Sequence, residues 1–230
     1  MTTASGRQSP TSAARRKKSA GQHLLDVYAT LAARGEHLLH DLLKGQPPVQ
    51  WQHYPEDDAI DPDSGYQWFY HSHSPDDRSD TTEHGHFHLF ARRSLWSRRL
   101  QSKAERAFAA LTGHPDSQVT TRHLLAIGLD PKGLPISVFT LNSWVTGDLM
   151  LSAAGTERLL AGMHLQTGHD AIDTVLECVV ALCMDDIRTM LATRDTTLSG
   201  RRKGDVLADT GPEILSSQAI ALDAKLRAAS

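Results

Sequence analysis

The chain has only two cysteines, Cys178 and Cys183, among 230 residues. Both fall in a strongly helical stretch, where a five-residue step points them well around the cylinder from each other. That spacing suits neither a disulfide nor a redox pair, so both are expected as plain buried thiols. No run approaches the roughly 20 apolar residues of a membrane span. No apolar segment follows the basic N-terminal residues Arg7, Arg15, Arg16, Lys17 and Lys18, so no secretory signal is expected and a cytoplasmic bacterial protein with no membrane partner is. A net charge of −3 argues against a molecule that binds nucleic acid through its overall field. The sequence shows no internal repeat. Its apolar fraction of 40 % and charged fraction of 22 % are those of an ordinary soluble protein with room for one well-buried core.

Histidine is what the chain has in excess. There are thirteen, and seven fall between residues 71 and 123. Three alternate in Glu83-His84-Gly85-His86-Phe87-His88-Leu89-Phe90, and two more in Tyr70-His71-Ser72-His73. On an extended strand alternate side chains share a face, so each group presents its imidazoles together.

Periodicity places these motifs in an α+β arrangement, an antiparallel sheet of about four strands flanked by helices. Residues 1–20 read as a disordered basic tail, 21–194 as a single domain, and 195–230 as a polar linker with a short terminal helix over 213–228. A helix is expected over 22–44, weakened at Gly35 and ended by Gly45, Pro47 and Pro48. The acidic run Glu56, Asp57, Asp58, Asp61 and Asp63 lacks the order of a calcium loop and reads as a solvated turn. Strands are expected over 66–73 and 83–92, then a basic helix over 95–111. A hairpin over 121–129 and 134–143 turns at Asp130-Pro131-Lys132-Gly133. Helices over 149–163 and 170–193 follow.

A His-x-His pair on a strand can bring two rings to one ion, and zinc, iron and copper all accept imidazole nitrogen. His71, His73, His84, His86 and His88 are therefore the candidate ligands, for zinc or iron. Pairing His73 with His84 also pairs His71 with His86 and gathers all five, whereas a slip of one residue separates the groups. The nine-residue loop between the strands leaves that parity open. Glu83 faces away from His84 on a regular strand, yet serves as supporting acid or general base if Gly85 marks a bulge. His123 precedes core-like residues and reads first as a buried histidine, second as a ligand. Tyr70 and Trp144 are further pocket candidates.

Three resemblances bear on these residues. His84-Gly85-His86-Phe87-His88-Leu89-Phe90 resembles the HIT nucleotide-hydrolase signature, which implies His86 as nucleophile, although Gly85 departs from the pattern. His86-Phe87-His88 resembles the zinc strand of α-type carbonic anhydrases, which implies a third ligand at His123; the surrounding helices limit this to geometric analogy. Residues 51–148 resemble an uncharacterised bacterial domain family of unknown function. The motifs are Trp51-Gln52-His53-Tyr54-Pro55, Tyr70-His71-Ser72-His73, Glu83-His84-Gly85-His86-Phe87-His88 and Asn142-Ser143-Trp144-Val145-Thr146-Gly147-Asp148. That resemblance implies a shared domain and brings no activity. The leading expectation is a histidine-lined pocket for a transition metal, acting as a metal-dependent enzyme on a small molecule. The alternatives are a non-catalytic small-molecule or protein-binding module using Trp51, Tyr70 and Trp144, and HIT-like phosphoester hydrolysis or nucleotidyl transfer.

Overall fold

The computed structural model describes residues 11–73, 82–112, 120–201 and 209–230. Residues 1–10 of the expected tail lie outside these. The rest of that tail is helical, because α1 spans Ser12–Ala33 and is capped by Thr11, whose hydroxyl accepts from the Ala14 amide at 3.2 Å. The helix stops well before residue 44. Gly35 takes a left-handed φ of 69°, a conformation that ends helices, and only the short α2, His40–Leu43, follows.

β1 (Tyr54–Ile60), β2 (Tyr66–Ser72) and β3 (Gly85–Arg92) come next. The basic segment is two helices, α3 (Arg93–Trp96) and α4 (Lys103–Thr112), joined by a 3₁₀ turn. β4 (Thr121–Leu129) and β5 (Pro135–Leu141) form the expected hairpin, with the Gly133 amide closing on Asp130 O at 2.9 Å. After α5 (Ser143–Thr146) and α6 (Ala153–Ala161), the long helix divides at Cys183 into α7 (Asp170–Leu182) and α8 (Met184–Ser199), with neither glycine nor proline at the break. α8 thus runs into the expected linker, of which 202–208 lie outside the described residues. β6 (Ile214–Ala219) and α9 (Leu222–Ala229) occupy the expected terminal helix.

The six strands form one antiparallel sheet in chain order, in an α+β architecture. The two strands beyond the expected four are its edges. Glu56, Asp57 and Asp58 of the acidic run lie in edge strand β1, where charged residues discourage pairing with a further chain, while Asp61 and Asp63 belong to the turn that follows. β6 pairs with β5 through Ser137↔Ala219 to Leu141↔Ile214.

The period of two divides the sheet's faces. Trp68, Tyr70, Phe87, Leu89, Leu125, Ile127 and Val138 pack with Leu24 of α1 and Val175, Leu176 and Val179 of α7 in the main core. Burying such a side chain contributes roughly 1.5–3 kcal/mol. The Trp68 indole N–H donates to Asp173 Oδ1 at 2.8 Å, tying β2 to α7. Cys178 and Cys183 are free and buried here, their thiols pushed up to about 11 by burial. Among the described residues no helix is long and apolar enough to cross a membrane. The opposite face, with Phe69, Ala126 and Phe139, carries the histidines.

Candidate metal centre

β2 and β3 pair with His71 opposite His86 and Phe69 opposite His88. Of the two parities open to the loop, this one places the imidazoles on a common face. The three rings meet tip to tip. Their centroids lie 4.5, 4.6 and 4.8 Å apart, while the Nε2 atoms are closer. His71–His86 and His86–His88 are both 2.9 Å, and His88–His71 is 3.4 Å. His71, His86 and His88 are all buried. His73, just past the end of β2, adds a fourth imidazole with its ring 4.8 Å from those of His71 and His86. Ligand atoms of His71, His73 and His86 all lie within 4.8 Å of one another, so this buried cluster could hold a metal ion.

Glu83 supports the cluster from behind. Its Oε1 lies 2.7 Å from His86 Nδ1, and a carboxylate can only accept, so Nδ1 carries a proton and, when the ring is neutral, the Nε2 lone pair faces the centre. Room for this carboxylate comes from β4. Gly128 lies opposite His86, and a Cβ there would come within 2.5 Å of Glu83 Oε2. His88 has its own backing, with His123 Nε2 3.3 Å from its Nδ1. Burial, then the surrounding imidazoles, holds His88 well below the usual histidine range; burial and Arg194 bring His123 down to about 3. Both rings are therefore neutral near pH 7, the form that ligates metals.

His84 is not in the group. The chain leaves the strand before Gly85, and here Glu83 and His84 exchange sides. His84 Nδ1 lies 2.7 Å from Tyr70 Oη, over the main core. A Cβ on Gly85 would sit 2.4 Å from both Tyr70 Oη and His71 O, so this crossing requires glycine. Tyr70 is thus removed from the histidine pocket, and burial raises its hydroxyl pKa. Trp144, in α5, is part exposed and donates its indole N–H to Gly211 O at 3.0 Å. The buried Asp148 accepts from Thr121, and burial raises its carboxyl pKa.

Trp51, one of the aromatics named for the binding-module alternative, lies beside the histidines, and two other features of the surroundings went unforeseen. The Trp51–Tyr54 segment runs beside the end of β2, bridging Gln50 to Ser72, and sets the Trp51 ring 5.7 Å from His71 and 4.6 Å from His73. The His53 ring stacks on Phe69 at 3.7 Å, with Asp58 Oδ1 3.0 Å from its Nδ1. Phe139 of β5 closes on His86 from the far side at 4.9 Å. The Trp51-Gln52-His53-Tyr54-Pro55 motif was the available signal for His53; nothing local marks Phe139 or Gly128.

The nitrogen triangle has the dimensions of a coordination face. For an ion about 2.0–2.1 Å from each imidazole nitrogen, separations of 2.9 Å correspond to angles of about 90° and 3.4 Å to about 110°. Neither the curated proteins nor the solved structures yield a match to this chain. A family model described as a domain of unknown function, DUF6969, matches residues 18–220, a wider span than the motifs between 51 and 148, and the chain belongs to that family.

Proposed function

We propose that the protein binds one transition-metal ion, zinc or iron, through Nε2 of His71, His86 and His88, with His73 as a further ligand. Glu83 and His123 orient the ligand rings, and the bound ion serves as the centre of a metal-dependent reaction on a small molecule. The observation that carries this reading is the triangle of Nε2 atoms. The three Nε2 atoms lie within hydrogen-bonding distance of one another, yet each is either a donor or an acceptor, so at least one of the three pairs sets like against like and hydrogen bonds alone cannot satisfy the triangle. A cation at the centre satisfies all three at once. An ion held by neutral imidazoles keeps most of its charge, which suits it to activating water or polarising a carbonyl.

The alternating histidines answer to HIT-like chemistry less well. A nucleophile needs its nitrogen directed at open space for a phosphoryl group, whereas Nε2 of His86 is directed at two other rings. The test is elemental analysis of untagged protein, as purified and after loading with zinc or iron(II). About one ion per chain is expected, lost in the His86→Ala/His88→Ala double variant. Less than a tenth of an ion per chain after loading, with stability unaltered by chelation, would refute the proposal.

A further inference from the structure

The centre is enclosed on most sides, which raises the question of where a ligand reaches it. Among the described residues, the rings touching the four histidines include Phe69, Phe90, Phe139 and His123, at 7 %, 3 %, 1 % and 4 % exposure. Two others differ. Trp51 is 57 % exposed, and the His53 side chain is 45 % exposed. Each touches the cluster from the same short segment.

That segment is held at some energetic cost. Only three described non-glycine residues have a left-handed φ, and two of them flank it, Trp51 at 65° and Asp58 at 54°. A bulky side chain in that region persists where its surroundings over-determine it, often at a ligand site. Here the surroundings are visible. Asp58 accepts from Gln67 Nε2 through one oxygen at 2.7 Å and from His53 Nδ1 through the other at 3.0 Å. The imidazole is pinned from a second direction by Phe69, stacked at 3.7 Å and 10°. With the Nδ1 proton held by Asp58, the ring presents Nε2 as an acceptor whenever it is neutral.

We infer that Trp51 and His53 form the ligand-contacting entrance of the histidine centre, His53 accepting a hydrogen bond from the ligand and Trp51 supplying an apolar wall. The inference rests on the metal reading. It specifies the ligand class: a small molecule with an oxygen for the ion, an adjacent O–H or N–H for His53, and a planar or apolar end for Trp51. These three requirements fit a hydroxyl- or amide-bearing aromatic or unsaturated compound better than a simple anion.

The test uses the full chain loaded with cobalt(II), whose visible spectrum reports the ligand set, and three probes. Acetohydroxamate offers oxygen ligands and an N–H donor, benzohydroxamate adds a ring, and azide has no donor. Wild-type protein should bind benzohydroxamate more tightly than acetohydroxamate. His53→Ala should keep one cobalt per chain and its spectrum, bind acetohydroxamate about three- to tenfold more weakly, and bind azide unchanged, the fold-change being that of one hydrogen bond. Asp58→Asn should weaken acetohydroxamate in the same direction, and Trp51→Ala should remove the gain from the added ring. Failure of wild-type protein to take up cobalt would overturn the metal reading and this inference with it. Normal cobalt uptake with acetohydroxamate binding unchanged in both His53→Ala and Asp58→Asn would overturn this inference alone. So would an equal loss of azide and acetohydroxamate, or loss of cobalt in His53→Ala.

Discussion

Replacing Gly128 with alanine should disturb the histidine centre without touching any histidine. The added methyl would lie 2.3 Å from Ser137 Oγ and 2.5 Å from Glu83 Oε2. The serine hydroxyl can rotate aside, but the carboxylate has to retreat by about 0.9 Å to restore an ordinary contact. Its other oxygen is 2.7 Å from His86 Nδ1, so that retreat carries the pair to the edge of hydrogen-bonding distance or beyond. A hydrogen bond to a charged group is worth about 1.5–3 kcal/mol. Against this, alanine in a strand gains about 0.5–1 kcal/mol by restricting the unfolded chain. The net expectation is a loss of about 1–2 kcal/mol, read by urea unfolding in the presence of a chelator. Metal affinity should fall 10–100-fold, as when a partner that orients a ligand ring is lost. In a Glu83→Ala background the same substitution meets no carboxylate, so Gly128→Ala should become neutral or slightly stabilising. The double-mutant cycle measures that coupling directly. Equal destabilisation in both backgrounds would refute the assignment of Gly128 as the seat of the Glu83 carboxylate.

Gly85→Ala should be destabilising by about 1–3 kcal/mol in thermal or urea unfolding, because its methyl meets the backbone carbonyl of His71 at 2.4 Å and that strand cannot turn aside as a side chain can. Tyr70→Phe should cost about 1 kcal/mol through the lost His84 contact, and both it and His84→Ala should leave metal content unchanged, as elemental analysis would show. Acid should unfold the metal-free protein through His88 and His123, whose protons the fold excludes while the unfolded chain takes them up near 6.5. Their contribution is complete above pH 6.5 and is lost as pH falls below it, down to about 3 for His123, at up to about 1.4 kcal/mol per pH unit for each group. His123→Gln should flatten the slope of stability against pH between 6 and 4.

Local signals were the readable part. The β-propensity of Trp68, Phe69 and Tyr70 announced a strand, and Asp130-Pro131-Lys132-Gly133 announced the hairpin between β4 and β5. Edges were harder. β1 is acidic and interrupted between Tyr54 and Ala59, and a strand that pairs on one side only carries little apolar signal. β6 has the sequence Ile-Leu-Ser-Ser-Gln-Ala, whose strand conformation is imposed by β5 instead of by its own propensity. The division of the long helix at Cys183 has no sequence mark either, since its buried residues continue on both sides.

Within the site, the sequence raised an irregularity at Gly85 as the condition for a supporting role of Glu83; what escaped it was that the same crossing removes His84 and that Gly128 makes room for the carboxylate. A strict alternation through residues 83–88 puts His84 beside His86 and Glu83 on the other face. Gly85 permits the chain to cross over, so that His84 reaches Tyr70 while Glu83 reaches His86. Gly128, on another strand and more than forty residues away, opens the space that makes the second of these contacts possible. Neither glycine takes a left-handed φ. Each is instead required by close approach, a demand visible only when the neighbouring strand is in place. The pair converts five equivalent-looking histidines into unlike groups: rings that face a common centre, and one ring that braces the core behind it. The carboxylate brought forward by the crossing then sets which nitrogen of His86 carries the proton. The chemical character of the centre is thus decided as much by where side chains are absent as by the histidines that fill it.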